Sequence, residues 1–132
     1  MKQFIEAVVQ FNQEILGIVQ RTPVGMLESE EAITLKCLHE EVEELREAFH
    51  MDSVVDQVDA IVDLMYFAIG ALYKIGLTTE QINQCCMAVH TANMLKKKGV
   101  NAKRATGAAD AVKPDDWVAP EAAIHGILFG DK

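Results

Sequence analysis

Between residues 40 and 63 the chain reads EEVEELREAFHMDSVVDQVDAIVD, nine carboxylates and a single arginine. Like charges one helical turn apart repel by roughly a few tenths of a kcal/mol per pair. Such a stretch is stable with water around an outer face, or with a cation between the side chains. At about 100° per residue, Asp52, Asp56, Asp59 and Asp63 fall within about 60° of one another on a helix that is otherwise nearly all apolar. In the segment before it, Glu41 and Glu44 flank the apolar seam with Glu40 beside them, while Glu43 and Glu47 point further away. Carboxylates facing one another inside a helix bundle raise each other's pKa values unless a cation lies between them. Hard oxygen ligands suit Mg²⁺ or Mn²⁺ better than zinc. Spacing alone leaves both the metal centre and the solvated acidic face open. A Glu-x-x-His, EAFH at residues 47–50, has the form that di-iron bundles use, but those need a second copy and the chain has none.

The elements that must position these side chains read as helices. Phe4, Ile5, Val8, Phe11, Ile15, Ile18 and Val19 recur at helical spacing, which predicts a first helix over residues 1–22, ended by Pro23 and Gly25. A second runs from Glu28 to about His50, with Leu35, Leu38, Val42, Leu45 and Phe49 as a seam stepping by three and four. A third begins after a cap at Asp52 or Ser53 and stops at Gly76. Thr78 with Gln81 forms a capping box for a fourth, running to about Lys97. Together residues 28–97 hold the acidic core helices. Residues 98–132 form a basic, irregular tail with a short apolar helix near Ala122–Phe129. The expected fold is all-α, a four-helix bundle-like arrangement within a single domain over residues 1–132.

The bulk numbers narrow the chemistry. The net charge of −8 and pI near 4.9 argue against nucleic acid as a partner. Twelve of the twenty acids lie between Glu28 and Asp63, and six of the twelve Lys and Arg lie between Lys96 and Lys113. That asymmetry suits a ligand carrying both metal and phosphate. Cys37, Cys85 and Cys86 read as reduced thiols in a cytoplasmic protein. The apolar run Leu64–Tyr73 covers ten residues, short of the ~20 a membrane span needs.

LHEEVEEL, DQVDAIVDLMYFAIGALYKIG, VHTANMLK and KPDDWVAP occur in that order over roughly residues 30–120. This ordered set resembles the MazG-like, phosphoribosyl-ATP pyrophosphohydrolase-like family of all-α nucleoside triphosphate pyrophosphohydrolases. The resemblance places the family's Glu-Glu-x-x-Glu motif on Glu40, Glu41 and Glu44. Its second acidic motif, Glu-x-x-Asp, is altered: aligned on Asp63, its Glu position holds Ala60; aligned one turn earlier, Asp56 and Asp59 fit with Asp in place of Glu. Glu41, Glu44, Asp59 and Asp63 are then the implied metal ligands, with Asp56 beside them. The implied activity is Mg²⁺-dependent hydrolysis (Mn²⁺ as an alternative ion) of a nucleoside triphosphate, a deoxynucleotide by preference, to the monophosphate and pyrophosphate. One of Glu40, Glu41 and Glu44 takes the proton of the attacking water. Asn93, Lys96 and Lys113 are implied contacts to sugar and phosphates, and Trp117 covers the site or stacks on a base. A homodimer or homotetramer is expected by the same resemblance. Competing readings are an acidic helical module docking a basic partner and a family member that binds nucleotides without hydrolysing them.

Overall fold

The computed structural model describes residues 1–100 and 109–130; Lys103 and Arg104 of the basic segment lie outside them. In order, the elements are α1 (Lys2–Glu14), α2 (Glu28–His50), α3 (Val54–Ile75), α4 (Thr79–Met94), β1 (Lys97–Val100), β2 (Ala109–Val112) and α5 (Glu121–Phe129). The class is the expected all-α, bundle-like one. The chain forms two compact units, Met1–Ile82 and Asn83–Lys132.

In the first unit, α2 and α3 make a helical hairpin and α1 packs on α3. The turn between the hairpin helices is capped as the sequence suggests: the Ser53 hydroxyl accepts the Asp56 N–H at 3.2 Å. At the far end Gly76 takes a left-handed φ of +113°, and a Cβ there would run into the Thr22 carbonyl. Only glycine satisfies both demands. The capping box of α4 is present, with Gln81 Oε1 accepting the Thr78 N–H at 3.0 Å and Thr78 Oγ1 accepting the Gln81 N–H at 3.2 Å.

The first helix is shorter than its apolar spacing suggests, ending at Glu14 rather than near residue 22. Gly17, at φ +67°, turns the chain, and the Ile18 N–H bonds back to the Asn12 carbonyl at 2.9 Å. Residues 15–27 then run as a strap tied down by specific polar contacts. Tyr73, fully buried, donates its hydroxyl to the Ile18 carbonyl at 2.7 Å. Arg21 grips Glu30 with two hydrogen bonds, at 2.6 and 3.0 Å, and donates to the Lys74 carbonyl. That guanidinium holds the Glu30 carboxyl below its ordinary range.

The seam on α2 also differs from its expected course. Leu38 and Leu45 are half-buried, but Leu35, Val42 and Phe49 face water. The packed stripe is instead Thr34, Cys37, Glu41, Leu45 and Ala48, so a carboxylate stands in the row of side chains that meets α3. On α3 the buried positions are Ala60, Ile69, Gly70 and Tyr73, while Val54, Val55, Val58, Ile61, Val62 and Met65 are exposed.

In the second unit, α4 ends at Met94 rather than near Lys97, and the tail is less irregular than expected. β1 and β2 pair antiparallel, Lys97 opposite Val112 and Val100 opposite Ala109. Four-residue strands such as KKGV and ADAV carry too little alternation to be read from sequence. Trp117 donates its indole N–H to the Ala92 carbonyl at 2.6 Å, and the ammonium groups of Lys96 and Lys113 lie 5.1 and 4.8 Å from its ring centroid. The short terminal helix appears as α5.

Candidate metal centre

Glu41 and Glu44 are three residues apart on α2 and therefore neighbours on its surface. Asp63 reaches them from α3, and one carboxylate oxygen from each of the three lies within 4.8 Å of the other two. Glu41 and Asp63 are half-buried and Glu44 is exposed. Burial and the neighbouring Glu44, Asp63 and Asp59 push the Glu41 carboxyl up to about 7. Asp63 is raised too, by burial first and then by Asp59 and Glu44. Oε2 of Glu41 is buried and accepts no hydrogen bond among the described residues.

These observations test whether a cation fits. Three converging oxygen ligands, one with a buried oxygen that no hydrogen bond reaches among the described residues, match what a hard divalent ion takes. No sulfur or nitrogen ligand belongs to the set.

The surroundings of the cluster differ sharply along the α2–α3 groove. Towards the hairpin turn lies an acidic notch of about 350 Å³, lined by Glu44, Glu47, Met51, Asp56, Asp59 and Ala60. Asp56 and Asp59 thus neighbour the cluster without belonging to the close set of three. Towards the open end lies an apolar cavity of about 260 Å³, with Phe11, Asn12, Cys37, Tyr66, Phe67 and Gly70 among its walls. Cys37 precedes Glu41 by four residues and Phe67 follows Asp63 by four, so this cavity begins about 6 Å, one helical turn, from the carboxylates.

Of the remaining residues expected at a site, Glu40 is exposed on α2, outside the close set. Asn93, exposed on α4, and Lys96, Lys113 and Trp117 belong to the second unit, where the two lysines flank the indole. The Arg21–Glu30 pair and the Tyr73–Ile18 bond were not read from sequence. Both join residues far apart in the chain or pair single charges among many, and neither has a local signature.

The helical hairpin presents a Glu-x-x-Glu pair on one helix to an Asp on the other, beside a partly open apolar cavity, an arrangement of oxygen ligands that suits a divalent cation in an all-α protein. Residues 8–93 match the family described as phosphoribosyl-ATP pyrophosphohydrolase, and the chain belongs to that family. The match spans α2, α3 and all three clustered carboxylates and stops at Asn93, before Lys96, Lys113 and Trp117. Comparison with curated proteins finds no match. Membership supports a pyrophosphohydrolase acting on a nucleotide, in a family whose enzymes typically use a divalent metal. Among the described residues no single helix is long and apolar enough to cross a membrane.

Proposed function

We propose that this protein hydrolyses a nucleoside triphosphate, a deoxynucleotide by preference, between the α- and β-phosphates, giving the monophosphate and pyrophosphate with Mg²⁺ as the working ion. The observation that carries this reading is the convergence of Glu41, Glu44 and Asp63 with a buried, unpartnered Glu41 oxygen among them. Those three residues would hold the ion, with Asp59 and Asp56 adding negative charge from the adjoining notch. When bound, the ion offsets the carboxylate repulsion, screens the phosphate oxygens and makes water more acidic. A water oxygen attacks the α-phosphorus in line, the bond to the β-phosphate oxygen breaks, and pyrophosphate leaves. The water's proton passes to a carboxylate of the Glu40, Glu41, Glu44 set. Lys96 and Lys113, cationic and set against Trp117, are assigned to phosphate oxygens, with Asn93 on the sugar and Trp117 against the base.

We assign the exposed α3 face to a second copy of the chain. Val54, Val58, Ile61 and Val62 together with Met65 repeat at the spacing of a helix–helix seam, and all are turned to water. A homodimer or a homotetramer would cover them.

Pyrophosphate release from the common NTPs and dNTPs, and from phosphoribosyl-ATP, is measured with millimolar Mg²⁺ or Mn²⁺ beside an Asp63→Asn control. Release that needs the ion and is lost in the control is the expected result. Turnover of phosphoribosyl-ATP alone would replace the deoxynucleotide assignment, and no turnover of any substrate would overturn hydrolysis.

A further inference from the structure

The hairpin of the second unit brings like charges together. Lys97 pairs with Val112 across it, so Lys96 and Lys113, one residue further out on each side, are neighbours at its open end. Pro114 favours an extended backbone at Lys113, in line with β2. Two ammonium groups placed opposite each other repel. No carboxylate relieves them: the ion pairs among the described residues are Lys2–Glu80, Arg21–Glu30 and Arg46–Glu43. What the two lysines share instead is the ring of Trp117, its centroid 5.1 Å from Lys96 Nζ and 4.8 Å from Lys113 Nζ. The negative face of an indole attracts a cation placed over it.

The ring is itself fixed from two directions. Its indole N–H donates to the Ala92 carbonyl at 2.6 Å, in the last turn of α4. Its backbone N–H closes a turn on the Pro114 carbonyl at 3.0 Å. One bond thus ties the ring to the helix that leads into Lys96, and the other to the proline that follows Lys113. A half-buried tryptophan that only anchored the tail would need neither cation. An ammonium carries three N–H donors, so one that rests on a ring keeps donors directed away from it. The pair therefore presents two positive charges and several free donors, with no acceptor for them among the described residues.

We propose that Trp117 is a positioning residue: its ring holds the Lys96 and Lys113 ammoniums side by side as a metal-independent clamp for a chain of adjacent phosphates. The assignment deepens the nucleotide reading above, rests on it for the identity of the ligand, and does not depend on a contact between the indole and a base. A lysine ammonium is a compact point charge and serves one phosphate at a time. Two of them on one ring match a ligand with two or more phosphates in a row, so the clamp selects by chain length. It favours the triphosphate substrate and the pyrophosphate product over the monophosphate. Pyrophosphate then inhibits by competing for the clamp, and the monophosphate does so far less.

The test uses the full-length, metal-free protein and inorganic tripolyphosphate, so that neither base nor catalysis enters. Trp117 is the only tryptophan of the chain, so its fluorescence reports on the clamp directly. Phosphorus NMR line widths report binding by the variants that lack it. Wild type binds tripolyphosphate saturably in the millimolar range or below, with a change in fluorescence, and binds orthophosphate far more weakly. Trp117→Leu, which keeps both lysines, weakens tripolyphosphate binding by about tenfold, the scale of two cation–ring contacts. Trp117→Phe, which keeps a ring face and loses the N–H, restores most of it. Lys96→Ala and Lys113→Ala each lose the fluorescence change at an unaltered melting temperature, which tests the clamp even where Trp117→Leu fails to fold. Lys98→Ala, on the same hairpin but without a ring contact, binds as wild type does. No saturable binding by wild type, equal binding by wild type and Trp117→Leu, or equal losses in Lys98→Ala and Lys96→Ala overturns the assignment. The two readings fail separately: tripolyphosphate binding without pyrophosphate release would sink hydrolysis alone. An unchanged KM for the nucleotide in an active Trp117→Leu enzyme would sink the clamp alone.

Discussion

The two faces of α3 pose opposite physical problems. Its inner face brings Asp63 against Glu41 and Glu44, where charge is crowded and partly removed from water. Its outer face turns Val54, Val55, Val58, Ile61, Val62 and Met65 to water, where apolar area is left uncovered. A small ion relieves the first because charge repulsion is local and falls when one counter-charge enters. Only a macromolecular surface relieves the second, because the gain scales with area. One helix thus separates chemistry from assembly by about half a turn of rotation, and each face can be broken without touching the other.

The largest expected effect comes from the inner face. Glu41→Gln keeps the shape of the side chain and removes an ion ligand, so pyrophosphate release should fall by about a thousandfold. The metal-free protein should melt at the same temperature or higher, because repulsion is relieved. A variant that loses both activity and several degrees of melting temperature would mean that Glu41 is structural. The outer face gives the next largest effect. Val58→Glu with Ile61→Glu places charge in the proposed seam and should convert the assembly to monomer in analytical ultracentrifugation. Wild type sedimenting as a monomer would refute the second-copy assignment outright.

How much of this was legible in the sequence follows the same division. The bounds of α2 and α3, the Ser53 cap and the Thr78–Gln81 capping box depend on local chemistry, and the residues announce them. Spacing puts Glu41 and Glu44 beside the α2 seam and Asp52, Asp56, Asp59 and Asp63 on one face of α3, but it does not single out Asp63 among the four; only the fold brings that carboxylate closest to the two glutamates. Periodicity misled where apolar residues serve a surface. Ile15, Ile18 and Val19 continue the spacing of α1 beyond Gly17, where the helix has already ended. Leu35, Val42 and Phe49 repeat every seven residues as a core seam does, yet they are exposed and Glu41 stands in the packed row. Hydrophobicity shows that a face is covered, but not whether by this chain or by another.

A pH series sharpens the contrast at smaller amplitude. Glu41 has an ordinary value of 4.5 and is pushed up to about 7 in the fold, with Asp63 raised in the same direction. The folded protein therefore holds a proton that the unfolded chain releases between those values, and stability is full below about 4.5 and lost as pH rises through about 7. Glu30 is shifted the opposite way by Arg21, but its contribution is lost only on acidification below its ordinary 4.5, outside this window. Without metal, the melting temperature should fall by a few degrees between pH 5.5 and pH 8. Millimolar Mg²⁺ should abolish that fall, since the ion replaces the proton. A flat profile without metal would mean that the three carboxylates are solvated independently of one another.

The smallest effect tests whether the strap matters to the inner face. Tyr73→Phe removes only the hydroxyl that meets the Ile18 carbonyl at 2.7 Å, in a side chain with no exposed surface. One net hydrogen bond of this kind contributes about 1 kcal/mol, which for a chain of this size is a loss of a few degrees in melting temperature. The strap carries Leu16, which also lines the apolar cavity. If its anchoring shapes the groove beside the carboxylates, Tyr73→Phe should raise KM for the nucleotide by a small factor while the metal-induced rise in melting temperature stays at its wild-type value. Equal losses in KM and in the metal response would show that cavity and carboxylate cluster yield as one unit. A change confined to KM would show that the groove is divided at Glu41 and Asp63, with the ion held by the hairpin alone.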